Sequence, residues 1–186
     1  PAVDPNRKIM VTNTKHIPIA VRLAKQADCP EGLPFPQFGS EYCVIMEPLT
    51  SPLGAPCTKP PWATLAAVDL ESGDILWQHP LGTLENLAPW PIHHFFGSAI
   101  EMGGPMITAS GLIFIAATSD SYFRAFDIND GKELWRDKLP TTGNAVPMSY
   151  LYDNQQYVVI AAGGHFTSPA PSGDYLIAYR LDEAVD

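Results

Sequence analysis

Three short segments of this 186-residue chain carry side chains whose types could act on a bound ligand. Ala161-Ala162-Gly163-Gly164-His165 sets an imidazole directly after an apolar run and two glycines, which let backbone approach a bound group. Thr118-Ser119-Asp120 puts a carboxylate in the connection that follows a similar run, LIFIAAT (112–118). Asn13 stands at the end of a third run, IMVT (9–12). An imidazole or a carboxylate can move protons, and an amide can orient a ligand by hydrogen bonding. Taken singly, such residues more often serve turns. Three of them at comparable positions of three repeats carry more weight, and Asp120 and His165 are expected to converge on one pocket. The sequence holds no Walker loop, G-x-G-x-x-G, G-x-S-x-G or H-E-x-x-H motif. His93 and His94 are adjacent, so on a strand they would point to opposite faces, which argues for an exposed or interface role over a shared metal. His16 and His79 have no identifiable partner in the sequence.

The elements that must position these residues repeat. The pattern Ala-x-Asp-x-x-x-Gly-x-x-x-Trp occurs as Ala67–Asp69–Gly73–Trp77 and again, 58 residues later, as Ala125–Asp127–Gly131–Trp135. The runs TLAAVDL (64–70), YFRAFDI (122–128) and YLIAYRL (175–181) match in length and character. Each unit reads as a strand, a tight turn and a return strand. Gly73 and Gly131 are expected to supply positive φ at the turns. Asp69 and Asp127 are expected to accept orphan backbone N–H groups there. Trp77 and Trp135 fall on the returning strands, where a recurring indole with a small Ala nearby predicts a ring wedged between neighbouring sheets, its N–H bonded to backbone. Units of this kind stack radially into propellers of about 4–8 four-stranded blades. The chain supplies about three such units, too few to close a ring and thus leaving sheet edges open. Its fold class is therefore expected to be all-β, a partial β-propeller forming the C-terminal portion of a larger ring.

Composition fits a globular chain: 46% of residues are hydrophobic, 17% are charged, and strand-type residues dominate. The formal charge of −9 argues against nucleic acid or an anionic membrane surface as partner. No apolar run reaches the ~18 residues of a membrane span. Many of the 19 prolines gather between Pro18 and Pro61, so 18–62 reads as a long insertion within the first blade, of a length expected to be functional or interacting. Cys29, Cys43 and Cys57 all lie inside it, without Cys-x-x-Cys spacing, which disfavours structural zinc. A Cys29–Cys43 disulfide with Cys57 unpaired, and three free thiols, both stand open.

The strings SPLGAPCTKPPW (51–62), MGGPMITASGLIFIAAT (102–118), RAFDINDGKELW (124–135), QYVVIAAGGH (156–165) and GDYLIAYRL (173–181) resemble, in order, the C-terminal region of the membrane-bound pyrroloquinoline-quinone (PQQ) dehydrogenases, the quinoprotein glucose and quinate/shikimate dehydrogenase group. The resemblance implies an eight-bladed propeller with PQQ and a divalent cation, calcium or magnesium, near its axis. It implies oxidation of a sugar or cyclic polyol by hydride transfer to the quinone, an aspartate taking the hydroxyl proton while the cation polarises the quinone carbonyl. Electrons would pass to ubiquinone, with the propeller at the periplasmic face of the bacterial inner membrane. Carried over by motif, His165 would line the substrate side of the cofactor pocket, Asp120 would sit near the cofactor on the same rim, and Asn13 would hydrogen-bond PQQ.

The family's catalytic aspartate, PQQ-contacting lysine, metal ligands and membrane helices would lie upstream of Pro1, so the isolated chain is expected to be inactive and to bind PQQ weakly or not at all. The stretch after His165 and the 93–97 segment differ from the glucose enzymes, which leaves the substrate open. Two other readings compete. One is a cofactor-free propeller scaffold, which would have no reason to hold Asp120 and a Gly-Gly-His on one rim. The other is a partial propeller completing its sheets by self-association rather than with the remaining blades.

Overall fold

The computed structural model describes residues 1–32, 36–52, 55–85, 102–165 and 170–180. His93, His94 and Leu181 lie outside the described residues. Among the described residues thirteen strands account for nearly all regular structure, and the one helical element is a three-residue 3-10 turn, Gln26–Asp28. The strands are β1 (Ala2–Asp4), β2 (Ile9–Lys15), β3 (Ile19–Lys25), β4 (Tyr42–Pro48), β5 (Ala63–Asp69), β6 (Ile75–Pro80), β7 (Met106–Ile107), β8 (Leu112–Ile115), β9 (Tyr122–Asp127), β10 (Glu133–Lys138), β11 (Met148–Tyr152), β12 (Gln155–Ala162) and β13 (Tyr175–Arg180). Three antiparallel meanders result: β1-β2-β5-β6, β7-β8-β9-β10 and β11-β12-β13.

The chain divides into two compact units. One contains the three meanders, from Pro1–Lys15 and Pro60–Asp186. The other, His16–Lys59, is the proline- and cysteine-bearing stretch, and it is built on the β3–β4 ribbon. A disulfide joins Cys29 to Cys43, whose Cα atoms are 6.3 Å apart, and Cys57 is a free, exposed thiol. Of the two cysteine states open in the sequence, the disulfide is the one formed. Gln26 braces the turn beneath the ribbon, its side-chain amide donating to the carbonyl oxygen of Pro36 at 2.9 Å.

The repeated turns are built as their residues require. The Asp69 carboxylate accepts from the N–H groups of Glu71 and Ser72 at 2.7 and 3.0 Å, and Asp127 accepts from the Asn129 N–H at 2.8 Å. Gly73 and Gly131 take φ of +80° and +68°, left-handed conformations that a Cβ disfavours. Cross-strand pairing puts Ala67 opposite Trp77 and Ala125 opposite Trp135, so the small residue leaves room for the indole.

Alternating apolar residues then stack the sheets. Val11, Leu65, Ala67 and Trp77 of the first meet Ile113, Ile115, Phe126 and Ile128 of the second. Phe123 and Ala116 of the second meet Val158, Ile160 and Ala162 of the third. The two tryptophans differ in their cover. Trp77 is 8% exposed, and its Nε1–H donates to the Ile128 carbonyl at 2.8 Å, in the turn of the next sheet. Trp135 is 39% exposed and packs edge-on against Tyr179 of the third sheet, ring centroids 5.2 Å apart. Counted along the sequence from Ala178, the residue corresponding to Ile128 is Leu181, which lies outside the described residues; among the described residues the expected backbone bond is found at Trp77. Two residues past each tryptophan a second tie crosses the same gap. His79 Nε2 meets the Asp130 carbonyl at 2.8 Å, and Asp137 accepts from the Tyr179 hydroxyl at 2.9 Å. His79 therefore does have a partner, hidden from the sequence because it lies on another sheet.

Candidate functional site

Strand register decides which positions of the three sheets are equivalent. Val11, Phe114 and Val159 stand opposite Ala67, Ala125 and Ala178. Asp120 lies six residues beyond Phe114 and His165 six beyond Val159, so both stand in connections that leave the same end of neighbouring sheets, the β8–β9 connection being six residues long and the β12–β13 connection twelve. Asn13 lies only two beyond Val11, inside β2 and paired with Leu65. Its expected equivalence to the other two is therefore corrected: it matches Ala116 and Ala161, because β2 continues to Lys15 where β8 ends at Ile115.

Asn13 shares the inward face of β2 with Val11 and reaches across to the second sheet, its Nδ2 donating to the Gly103 carbonyl at 3.2 Å. Gly103 has φ +128°, and a Cβ there would lie 3.1 Å from both Ala117 Cβ and the Asn144 carbonyl oxygen. Only glycine lets the chain pass between those two segments. Asn144 in turn donates from Nδ2 to Thr142 Oγ1 at 3.1 Å, and the Thr142 carbonyl accepts from the Gly164 N–H at 3.0 Å. Contacts thus run across this end of the three sheets, from Asn13 to the residue before His165.

Gly164, with φ +72°, would carry a Cβ only 2.9 Å from the Pro171 carbonyl oxygen. The close approach expected of this glycine is to the chain's own returning segment. His165 follows, half-buried.

Asp120 is fully buried, at 0% exposure, and so is the Arg124 that answers it. Arg124 Nη1 and Nη2 donate to its two oxygens at 3.0 and 2.5 Å. Thr118 Oγ1 at 2.6 Å and the Tyr122 N–H at 3.2 Å complete Oδ1. The Thr83 N–H at 2.7 Å and its hydroxyl at 3.0 Å complete Oδ2. Burial on its own would push this carboxyl up; the Arg124 guanidinium, with the Thr118 hydroxyl and the Thr83 N–H, outweighs it and holds the pKa below the usual carboxylate range. Arg124 also pairs with Glu133 at 3.2 Å. Thr83 comes from the segment leaving the first sheet, so the carboxylate joins two sheets. Arg124, Thr83, Gly103 and Asn144 were not singled out from the sequence: nothing there marks contacts as distant as those of Thr83 and Gly103, and Arg124, only four residues from Asp120, reads as an ordinary strand residue.

A cofactor of the PQQ type is a polycarboxylate carrying an ortho-quinone, and it needs hydrogen-bonding groups with no unneutralised carboxylate against them. Asn13, Thr142, Asn144 and His165 are of that kind, and Asp120 is neutralised by Arg124. The Asn144 Oδ1 is buried without a hydrogen-bond partner, alone in this among side-chain atoms of the described residues. Turning the amide over would leave its nitrogen unpaired instead. These residues fit such a group. Among the described residues no set of three or more His, Cys, Asp or Glu side chains is arranged to hold a metal ion, so the cation's ligands are not assigned to them.

Stacked four-stranded meanders, tied by an indole in the turn of the next sheet, define a β-propeller repeat. Residues 1–158 match the model of the PQQ-type glucose/ethanol/alcohol dehydrogenase β-propeller domain, and the chain belongs to that family. It is 37% identical over 201 residues to the quinoprotein glucose dehydrogenase of Escherichia coli K12, covering 99% of this chain and 25% of that protein. It is 39% identical over 202 residues to the quinate/shikimate dehydrogenase (quinone) of Acinetobacter baylyi, covering 98% of this chain and 25% of that one. Among solved structures, the quinohemoprotein alcohol dehydrogenase from Comamonas testosteroni superposes with a TM-score of 0.60 at 18% identity, over 96% of this chain and 25% of that one. The chain thus spans about a quarter of the length of the relatives it matches.

Proposed function

We propose that the chain is part of a PQQ-dependent, quinone-reducing dehydrogenase that oxidises a sugar or cyclic polyol, of the glucose type first and the quinate/shikimate type second. The observation that carries this reading is the family match over residues 1–158, joined to the alignment of Asn13, Gly103, Asn144 and the Gly163–His165 corner along one end of the sheets. PQQ, when bound, supplies an electrophilic ortho-quinone that accepts a hydride. The chain's own part is positioning. Asn13 offers an amide, oriented by the Gly103 carbonyl, to the cofactor. His165 lines the substrate side, on a corner held by Gly164 and Thr142. Asp120 stands behind them on the same rim. A divalent cation, ubiquinone as acceptor and a location at the periplasmic face of the inner membrane belong to the same reading, as do further blades completing the ring. Among the described residues no helix is long and apolar enough to cross a membrane.

The test is dye-linked oxidation of glucose and of quinate with added PQQ and calcium. It compares the 186-residue chain with the same chain inside a complete propeller. Turnover is expected only from the complete propeller. Turnover by the short chain would refute its predicted inactivity, and PQQ-independent turnover by either would refute the cofactor reading.

A further inference from the structure

The carboxylate of Asp120 receives six hydrogen bonds from four residues, and none of its surface is exposed. A carboxylate offers about four lone-pair directions, so these donors leave none for a ligand. Asp120 nevertheless lies in the β8–β9 connection, at the end of its sheet from which the connection carrying His165 leaves the next. Its donors explain what it does there. Thr83 belongs to the segment that leaves β6 in the first sheet, and the Gly103 carbonyl, just before β7, orients Asn13. From the other side, Thr118 donates to Asp120, and its neighbour Ala117 is the residue against which Gly103 is packed.

We propose that Thr83 and Arg124 are positioning residues: they make Asp120 a pin between the first two sheets that fixes Gly103 and, through its carbonyl, the amide of Asn13. Asp120 itself touches neither cofactor nor substrate. Arg124 supplies the neutralising charge, and Thr83 supplies the donors from the opposite sheet. This rests on the PQQ reading for its functional consequence, while the mechanical link stands on geometry alone.

The experiment uses Thr83→Val, Asp120→Asn, the double variant and Thr83→Ser in the complete propeller. PQQ affinity is read by titration of the cofactor's absorbance, and hydrogen exchange is followed by mass spectrometry over residues 102–107. Thr83→Val removes one hydroxyl donor to the carboxylate and alters no atom of the proposed pocket. Thr83→Val is expected to weaken PQQ binding about threefold and Asp120→Asn about tenfold, the scale of a lost hydrogen bond to a charged group transmitted in part. The double variant is expected to be no weaker than Asp120→Asn, because both act through one pin. Exchange at 102–107 is expected to accelerate in all three, and Thr83→Ser to behave as the parent. Weak binding by Asp120→Asn with Thr83→Val silent would overturn the proposal in favour of direct contact. Unchanged binding and exchange in both would overturn it in favour of a remote structural role. If the parent itself fails to bind PQQ, the cofactor reading falls. The exchange at 102–107 then decides the pin alone: faster exchange sustains it, and unchanged exchange ends it.

Discussion

Gly73 and Gly131 occupy the same place in consecutive turns and have nearly the same φ, +80° and +68°, but their surroundings differ. A Cβ built on Gly73 meets nothing within 4 Å. One built on Gly131 would lie 2.5 Å from Trp77 Cε3 and 2.7 Å from His79 Cδ2. Alanine at either position carries the left-handed strain, about 1–2 kcal/mol, partly offset by a stiffer unfolded chain, about 0.4–1 kcal/mol. Gly73→Ala is therefore expected to cost about 1 kcal/mol. Gly131→Ala adds overpacking against a buried ring, about 1–3 kcal/mol, since the indole can yield only by giving up its 2.8 Å bond to Ile128. The expected total is roughly 2–4 kcal/mol. The measurement is urea denaturation of both variants, repeated in a Trp77→Ala background. With the indole gone and the exposed His79 free to turn aside, the cost of Gly131→Ala should fall back to that of Gly73→Ala. Equal costs in the parent, or an excess that survives removal of the indole, would refute the claim that the ring is seated on this turn.

Three further outcomes follow from the described contacts. The depressed pKa of Asp120 means that its stabilisation is fully present above the unfolded-state value of about 3.9 and is lost as pH falls toward the lower folded-state value. Asp120→Asn is expected to cost about 3 kcal/mol at neutral pH, as the buried Arg124 guanidinium is left with only the part-exposed Glu133 as a charged partner, and to flatten the acid limb of the stability profile. Part of that limb will persist, because Asp4 and Asp69 are also held low, chiefly by the backbone N–H groups of Arg7 and Ser72; a profile parallel to the parent's would refute the assignment. In the 16–59 unit, thiol titration of the unfolded, unreduced chain should find one thiol, Cys57, and reduction should raise this to three. Cys43→Ser should destabilise that unit by about 3 kcal/mol, the loop-closure value for a span of 14 residues, while the sheets' own transition is unmoved.

Much of the fold was legible because its signals are local. An aspartate reaching N–H groups two and three residues ahead, a glycine at positive φ and an alanine across from a tryptophan all lie within one hairpin, and the repeat of that hairpin announced the stacking. The strings that carried the family resemblance are equally local, and the match over residues 1–158 accords with them. The site was legible only as a set of candidates. Asp120 and His165 could be assigned to connections at one end of neighbouring sheets because register follows from strand pattern, but Thr83, the partner that ties Asp120 to the first sheet, is 37 residues away. Asn13 was misaligned because nothing in IMVTNTK shows that β2 runs to Lys15.

The sequence alone thus determined the hairpins, their turns, the faces they bury and the family they belong to, all set by interactions spanning a few residues or by simple alternation. Tertiary structure decided which side chains meet across sheets. The Asn13–Gly103 bond spans 90 residues and the Trp77–Ile128 bond 51, and both form where one sheet packs against the next. It also decided that Asp120 is enclosed rather than open: Arg124 is a local partner four residues along the chain, but only assembled sheets can add Thr83, from the segment leaving the first sheet, to the same buried carboxylate.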